Sequence, residues 1–276
     1  MKKLLFLALA AASVAASAAT PSETAALAAA KQFYAAKGGD FAAAWKALPA
    51  SYQTQIADVV KLFATKIDEG LWTGAQGALK DVAGVALKKI EFLDIDEEDR
   101  PDTIRMIAKA AAVAKAATYA DLKAGNIAKI LAAEPLKMPG VTDKVPAFKL
   151  PEISVKQNDD GTVAVTVDDD TEDFALVEGK WIPKEISEGF EDGIKEAKAN
   201  LATFEIPAEM KPQLAKVFPM ISNAAKKAAK AATKEEFEQA VSQAAMPIVM
   251  MGMSMAGQDG GSDDDDEDGV EYDMAE

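Results

Sequence analysis

The sequence predicts an α+β fold: helices packed on a small antiparallel β-meander, then a helical C-terminal part and a disordered acidic tail. Three observations carry that expectation. Between Glu152 and Pro183 the apolar residues recur at every second position, and nowhere else in the chain do they do so cleanly. On both sides of that stretch they recur at three and four residues, the period of one helix face. The chain is 49% hydrophobic by residue type, but much of that is alanine, which favours helix and buries little surface, so Leu, Ile, Val, Phe and Met must carry the core.

Within the meander Ile153 and Val155 form one run, and Val163, Val165 and Val167 a second, each alternating with polar or small residues. Asp160-Gly161 and Glu178-Gly179 place glycine where a tight reversal needs positive φ. Three to four short strands are expected, with Trp181 near the end and Pro183 as terminator, because proline cannot donate to a ladder.

In chain order, residues 1–19 read as a secretory signal peptide. Lys2 and Lys3 are the charged start, Leu4 to Ala12 the apolar centre, and Ser13 to Ala19 the small-residue region before a cut. The apolar part is short for a membrane span of about 20 residues. An exported protein of the periplasm or medium is therefore expected, with no membrane span after cleavage. The new N-terminus would open a helix, because Thr20-Pro21-Ser22-Glu23 is a capping box with proline in the first turn.

Leu27, Ala30 and Tyr34 lie on one face of that helix, with Phe33 beside them, and Gly38-Gly39 ends it. Asp40 caps a short helix with Phe41, Trp45 and Leu48, stopped by Pro49. Ile56, Val59, Val60, Phe63 and Ile67 mark a third helix from Ser51. A fourth, amphipathic helix runs from Leu71 through Ala75, Ala78, Val82, Ala86 and Ile90; its Gly74, Gly77 and Gly84 suggest close packing and weaken the helical signal. Asp94 to Asp99 reads as a solvated turn, Pro101 opens a helix with Ile104 and Ile107, and Asp121 starts another that holds Ile127 and Ile130. Four prolines from Pro135 to Pro151 mark an irregular connection, with room for an edge strand at Ala147 to Leu150.

Beyond Pro183, residues Ile186, Phe190, Ile194, Ala197, Leu201 and Phe204 form a coiled-coil-like face. Met210, Leu214, Val217 and Ile221 form another, with a kink expected at Pro219. Thr233 to Glu236 is a second capping box, launching Phe237, Ala240, Val241 and Ile248. These three helices are expected to stack as an up-down hairpin. The expected organisation is a helix-plus-meander domain over 20–183, a helical part over 184–252 and a disordered tail over 253–276. From Gly257 onward the chain has ten acids and no base.

The net charge of −15 disfavours nucleic acid as a partner, because a polyanion repels the phosphate backbone. The chain has no cysteine and no histidine. Thiolate chemistry, disulfides, the serine-histidine triad and most zinc chemistry are thereby excluded.

Four features compete as sites. Asp168, Asp169, Asp170, Glu172 and Asp173 crowd one turn and could supply oxygen ligands to calcium, but they lack the EF-hand spacing. They read better as a solvated turn that blunts the sheet edge. Met246, Met250, Met251, Met253 and Met255 offer thioethers to Cu(I), but read better as a Met-rich helix end that packs adaptably. The tail reads as a solubility tail rather than a chelator or a contact for a basic partner. Trp181 reads as a core residue facing the helices of Phe33, Phe63 and Phe190, not as a ligand platform. No residue is singled out as catalytic, cofactor-binding or metal-binding, and no cofactor is expected.

Two segments resemble a known group. Ala25 to Trp45, AALAAAKQFYAAKGGDFAAAW, is similar to the helical opening of the nuclear transport factor two superfamily. Phe174 to Pro183, FALVEGKWIP, is similar to the closing strand pair of its exported members. The whole chain looks like uncharacterised exported proteins of Gram-negative bacteria, with Leu48 to Gln53 and Thr233 to Phe237 the most familiar pieces. The resemblance implies a cone of helices against a curved sheet with a central pocket. It carries over no catalytic residue, and the three C-terminal helices lie outside that fold. The expected function is a non-catalytic binding or interaction protein of the cell envelope, whose partner is an envelope protein or a small ligand. Periplasmic copper or cation handling, and a carboxylate-dependent enzyme, are the alternatives.

Overall fold

The computed structural model describes residues 19–243. The first helix, α1 (Pro21–Lys37), begins with both halves of the capping box made: the Thr20 hydroxyl accepts the Glu23 N–H at 3.1 Å, and the Glu23 carboxylate accepts the Thr20 N–H at 2.6 Å. Next come α2 (Phe41–Ala47), capped by Asp40, α3 (Ala50–Lys66), α4 (Glu69–Lys88) and α5 (Arg100–Ala116). Two short helices, α6 (Tyr119–Ala124) and α7 (Ile127–Leu131), precede the proline-rich connection.

The meander is four-stranded and antiparallel, in the order β1 (Ile153–Gln157), β2 (Val163–Val167), β3 (Asp170–Val177), β4 (Lys180–Pro183). Val163 pairs with Phe174 and Leu176 with Trp181, so the buried valines, Phe174 and Trp181 share one face. α1 lies across that face, against β1, β2 and β4. Ala26 and Ala30 are fully buried there, and their small side chains let the helix sit close to Val163, Val165 and Trp181. Ile182 points the other way and is also fully buried, so β4 is covered on both sides.

α8 (Lys184–Thr203) leaves the sheet directly and packs against α3, β3 and β4. α9 (Lys211–Ala228) packs along α4, and a last helix begins at residue 234. No helix among the described residues is long and apolar enough to cross a membrane.

Several expectations need correction. α8 and α9 do not form a coiled-coil hairpin: the apolar stripe of α8 is taken up by α3, where Phe190 stacks on Tyr52 at 3.5 Å between ring centroids, and α9 is taken up by α4. Gly74, Gly77 and Gly84 do not interrupt α4. Close packing is realised only at Gly74, where a Cβ would come within 2.8 Å of the Phe218 ring. Residues 147–150 pair with no strand. Instead Phe148 lies over Gly38, where any side chain would overlap its ring, and beneath the Arg105 guanidinium. The helix expected from Asp121 is two helices, divided at Gly125, whose φ of +69° ends the first.

Candidate functional site

α4 turns Val82, Val85 and Ala86 to one side, and α9 turns Ile221, Ala224, Ala225 and Ala228 toward them. The alanines on α9 allow the two backbones to approach while leaving a trough above. Phe237 and Val241 of the last helix form the third wall, and Leu93 closes one end. The result is a groove of about 220 Å³ lined wholly by apolar side chains.

Polar contacts at the closed end hold the third wall in place. Lys89 Nζ donates to the Ala231 carbonyl at 2.6 Å, Lys234 pairs with Asp94, and Phe92 packs against Phe237. The second capping box forms with one variation. The Thr233 hydroxyl accepts the Glu236 N–H, while the Glu236 carboxylate accepts the N–H of Ala232. At the open end Val82 and Val241 remain 46% and 45% exposed. An apolar trough without a titratable group can bind an apolar segment or chain, and offers no general acid, base or ligand to a metal.

The structure separates the acids expected to crowd one turn. Only Asp168 and Asp169 form the turn; Asp170, Glu172 and Asp173 lie on β3, where alternation divides them between two faces. Asp168 adopts φ of +53°, a conformation open to a short polar side chain. Asp173 accepts a hydrogen bond from Asn158. Glu172 faces α1, where burial chiefly, and then Glu185, push its carboxyl up. Burial also raises the nearby Tyr34 phenol, helped by Glu172, Asp170 and Asp168. Among the described residues no group of three or more carboxylates is placed to hold a metal ion. The groove and four other surface clefts present at most one carboxylate each, Glu134 in one and Glu236 in another.

Trp181 is a core residue, 7% exposed, packed with Val163, Val165, Val167 and Phe174. Of the three aromatic residues expected around it only Phe33 joins that cluster, edge-on to Phe174; Phe63 pairs with Trp72 and Phe190 with Tyr52. The Met-rich run from Met246 to Met255, the acidic tail and the signal-like residues 1–18 lie outside the described residues.

Sequence reasoning missed one polar centre. Asp121 is buried, accepts from the Thr118 hydroxyl, Asn126 Nδ2 and Lys129 Nζ, and has its carboxyl drawn down to about 2, chiefly by the Lys129 hydrogen bond. Thr118-Tyr119-Ala120-Asp121 has the spacing of a capping motif, which could have revealed it. Both carboxylate oxygens of Asp121 accept hydrogen bonds, so it fastens α6 to α7. Comparison of the chain with protein-family models, curated proteins and solved structures finds no match.

Proposed function

We propose that the chain is an exported, non-catalytic binding or interaction protein of a bacterial cell envelope, acting in the periplasm or after secretion. The single observation that carries the binding role is the apolar groove between α4, α9 and the last helix, open at Val82 and Val241. A water-exposed trough of that composition gains free energy by being covered. The charged, apolar and small-residue order of residues 1–19 supports export, and the want of histidine and cysteine supports a role without covalent chemistry.

The test uses the mature chain as bait in envelope extract beside Val82→Asp, a change at a half-exposed position. A partner retained by the native chain and lost by the variant supports the reading. The same set retained by both overturns it. The same preparation tests export: protein recovered from the envelope should begin at Ala19 or Thr20 by mass, and an intact Met1 would refute it.

A further inference from the structure

The two sides of α4 differ. The apolar groove lies on its α9 side, and on its α5 side a second cleft of about 510 Å³ opens between α4, α5 and the chain after α7. The buried Ala111 and Ala112 of α5 form its floor, with Leu136 beside them. Three exposed lysines from three elements line it: Lys80 of α4, Lys115 of α5 and Lys137 of the proline-rich connection. Hydrogen bonds fix this frame. Gln76, one turn before Lys80, donates to the Ala114 carbonyl at 2.6 Å and the Ala117 carbonyl at 2.8 Å, which ties α4 to the end of α5. The Leu136 N–H donates to the Ala108 carbonyl at 2.9 Å and holds the connection, with Lys137, against α5.

The charges of this cleft run against those of the chain, which has 45 acids to 30 bases. Lys61, Lys184 and Lys234 each meet an acid three or four residues away on their own helix. Lys80 and Lys115 have no acid at those spacings. Among the described residues Lys80, Lys115 and Lys137 form no ion pair, and Glu134 is the one carboxylate at the cleft. A fourth lysine reaches the wall from behind. Lys109 is 5% exposed, and its Nζ donates to the carbonyl of Ala133, a lining residue, at 2.7 Å, again with no carboxylate partner among the described residues. An ammonium group taken out of water without a counter-ion raises the free energy. A concave wall of one sign also focuses its field into the space before it. An anion seated in the cleft answers both.

We propose that the cleft is a binding site for a small organic phosphate monoester. A phosphate group carries close to two negative charges at neutral pH and three strong acceptor oxygens, which suits compact ammonium donors brought from three directions. The alanine floor gives the organic part an apolar surface, and the volume is that of a small-molecule site. The net charge of −15 selects a small ligand. A nucleic acid or an anionic membrane would also lie against the rest of that acidic surface, whereas a ligand held within the cleft meets the lysines, and charges beyond about 8 Å are screened. The proposal does not rest on the apolar groove, which lies on the other side of α4, so the failure of either reading leaves the other standing.

The test is calorimetric titration of phenyl phosphate into the full mature chain, at neutral pH in a phosphate-free buffer of low salt. Inorganic phosphate and vesicles containing phosphatidic acid are separate arms. Saturable binding of phenyl phosphate is expected, at least about threefold tighter than that of inorganic phosphate because the ring covers the floor. Lys80→Gln and Lys115→Gln should each weaken it at least about fivefold, and Lys198→Gln, which removes the same charge from α8, by less than about twofold. Melting curves check folding, and if one cleft variant is unfolded, the other and Lys137→Gln decide. Absence of phenyl phosphate binding overturns the proposal. Equal affinity for inorganic phosphate overturns it, because the floor then holds nothing. An equal loss in Lys198→Gln overturns it, because the effect is then one of bulk charge. Binding to the vesicles alone overturns it as well, because the ligand is then a membrane surface.

Discussion

Glu23 and Gln157 join the first helix to the free edge of the sheet: one carboxylate oxygen of Glu23 accepts the N–H of Thr20 and the other accepts the N–H of Gln157 at 3.0 Å. The capping box thereby satisfies an edge-strand donor that would otherwise be open to another chain. These two backbone hydrogen bonds, that of Thr20 first, hold the Glu23 carboxyl below its usual range. A depressed folded value means stability that is full above the unfolded value of about 4.3 and lost as pH falls through the folded one. Glu23→Gln should therefore flatten the acid side of the stability profile, read as melting temperature from about pH 6 down to about pH 3. Thr20→Ala should remove the cap at a cost of about 1 kcal/mol. A variant profile parallel to the native one would refute the linkage.

Trp181 is the largest side chain in the layer between α1 and the sheet. Trp181→Ala is expected to cost about 3–5 kcal/mol in denaturant melts, from lost apolar transfer and the cavity left behind. Trp181→Phe should cost less, because most of the buried ring volume is kept. A loss under about 1 kcal/mol for the alanine variant would contradict its place in the core.

Asp121 offers a second pH test with the same sign. Its carboxyl is drawn down to about 2, so its contribution is complete above an unfolded value of about 3.9 and vanishes only as pH drops through about 2. Asp121→Asn should lower the neutral-pH melting temperature and weaken its fall between about pH 4 and about pH 2. Lys129→Met should act in the same direction and less strongly, since Thr118 and Asn126 still donate. An unchanged acid slope in Asp121→Asn would show that the network adds nothing to folding.

Features that a local rule determines are legible in the sequence. The strands of the meander come from a period of two, and the first cap from Thr20 and Glu23, because both depend on neighbours in sequence. The place of Trp181 is legible too, since the sheet has one buried face and few large residues to fill it. The stripe of α8 is legible but its partner is not: the same apolar spacing serves a coiled coil or the flank of α3, and only the position of Tyr52 decides. Residues 147–150 alternate like a strand, yet Gly38 accepts the Phe148 ring and draws them away. The groove is hidden for the same reason. Val82 and Ile221 belong to ordinary amphipathic faces, and nothing in either helix announces the third wall at Val241.

The strands lie side by side in the order in which they occur, so their contacts close very small loops; Thr166 touches Thr171, five residues on. The seam between α4 and the last helix joins Lys89 to Ala231 across 142 residues. Loop-closure entropy makes the longer junction costlier by about 3 kcal/mol before any contact repays it. The hairpins should therefore assemble early, and the seam with its groove late, alongside the other long-range junctions such as that of Glu23 with Gln157.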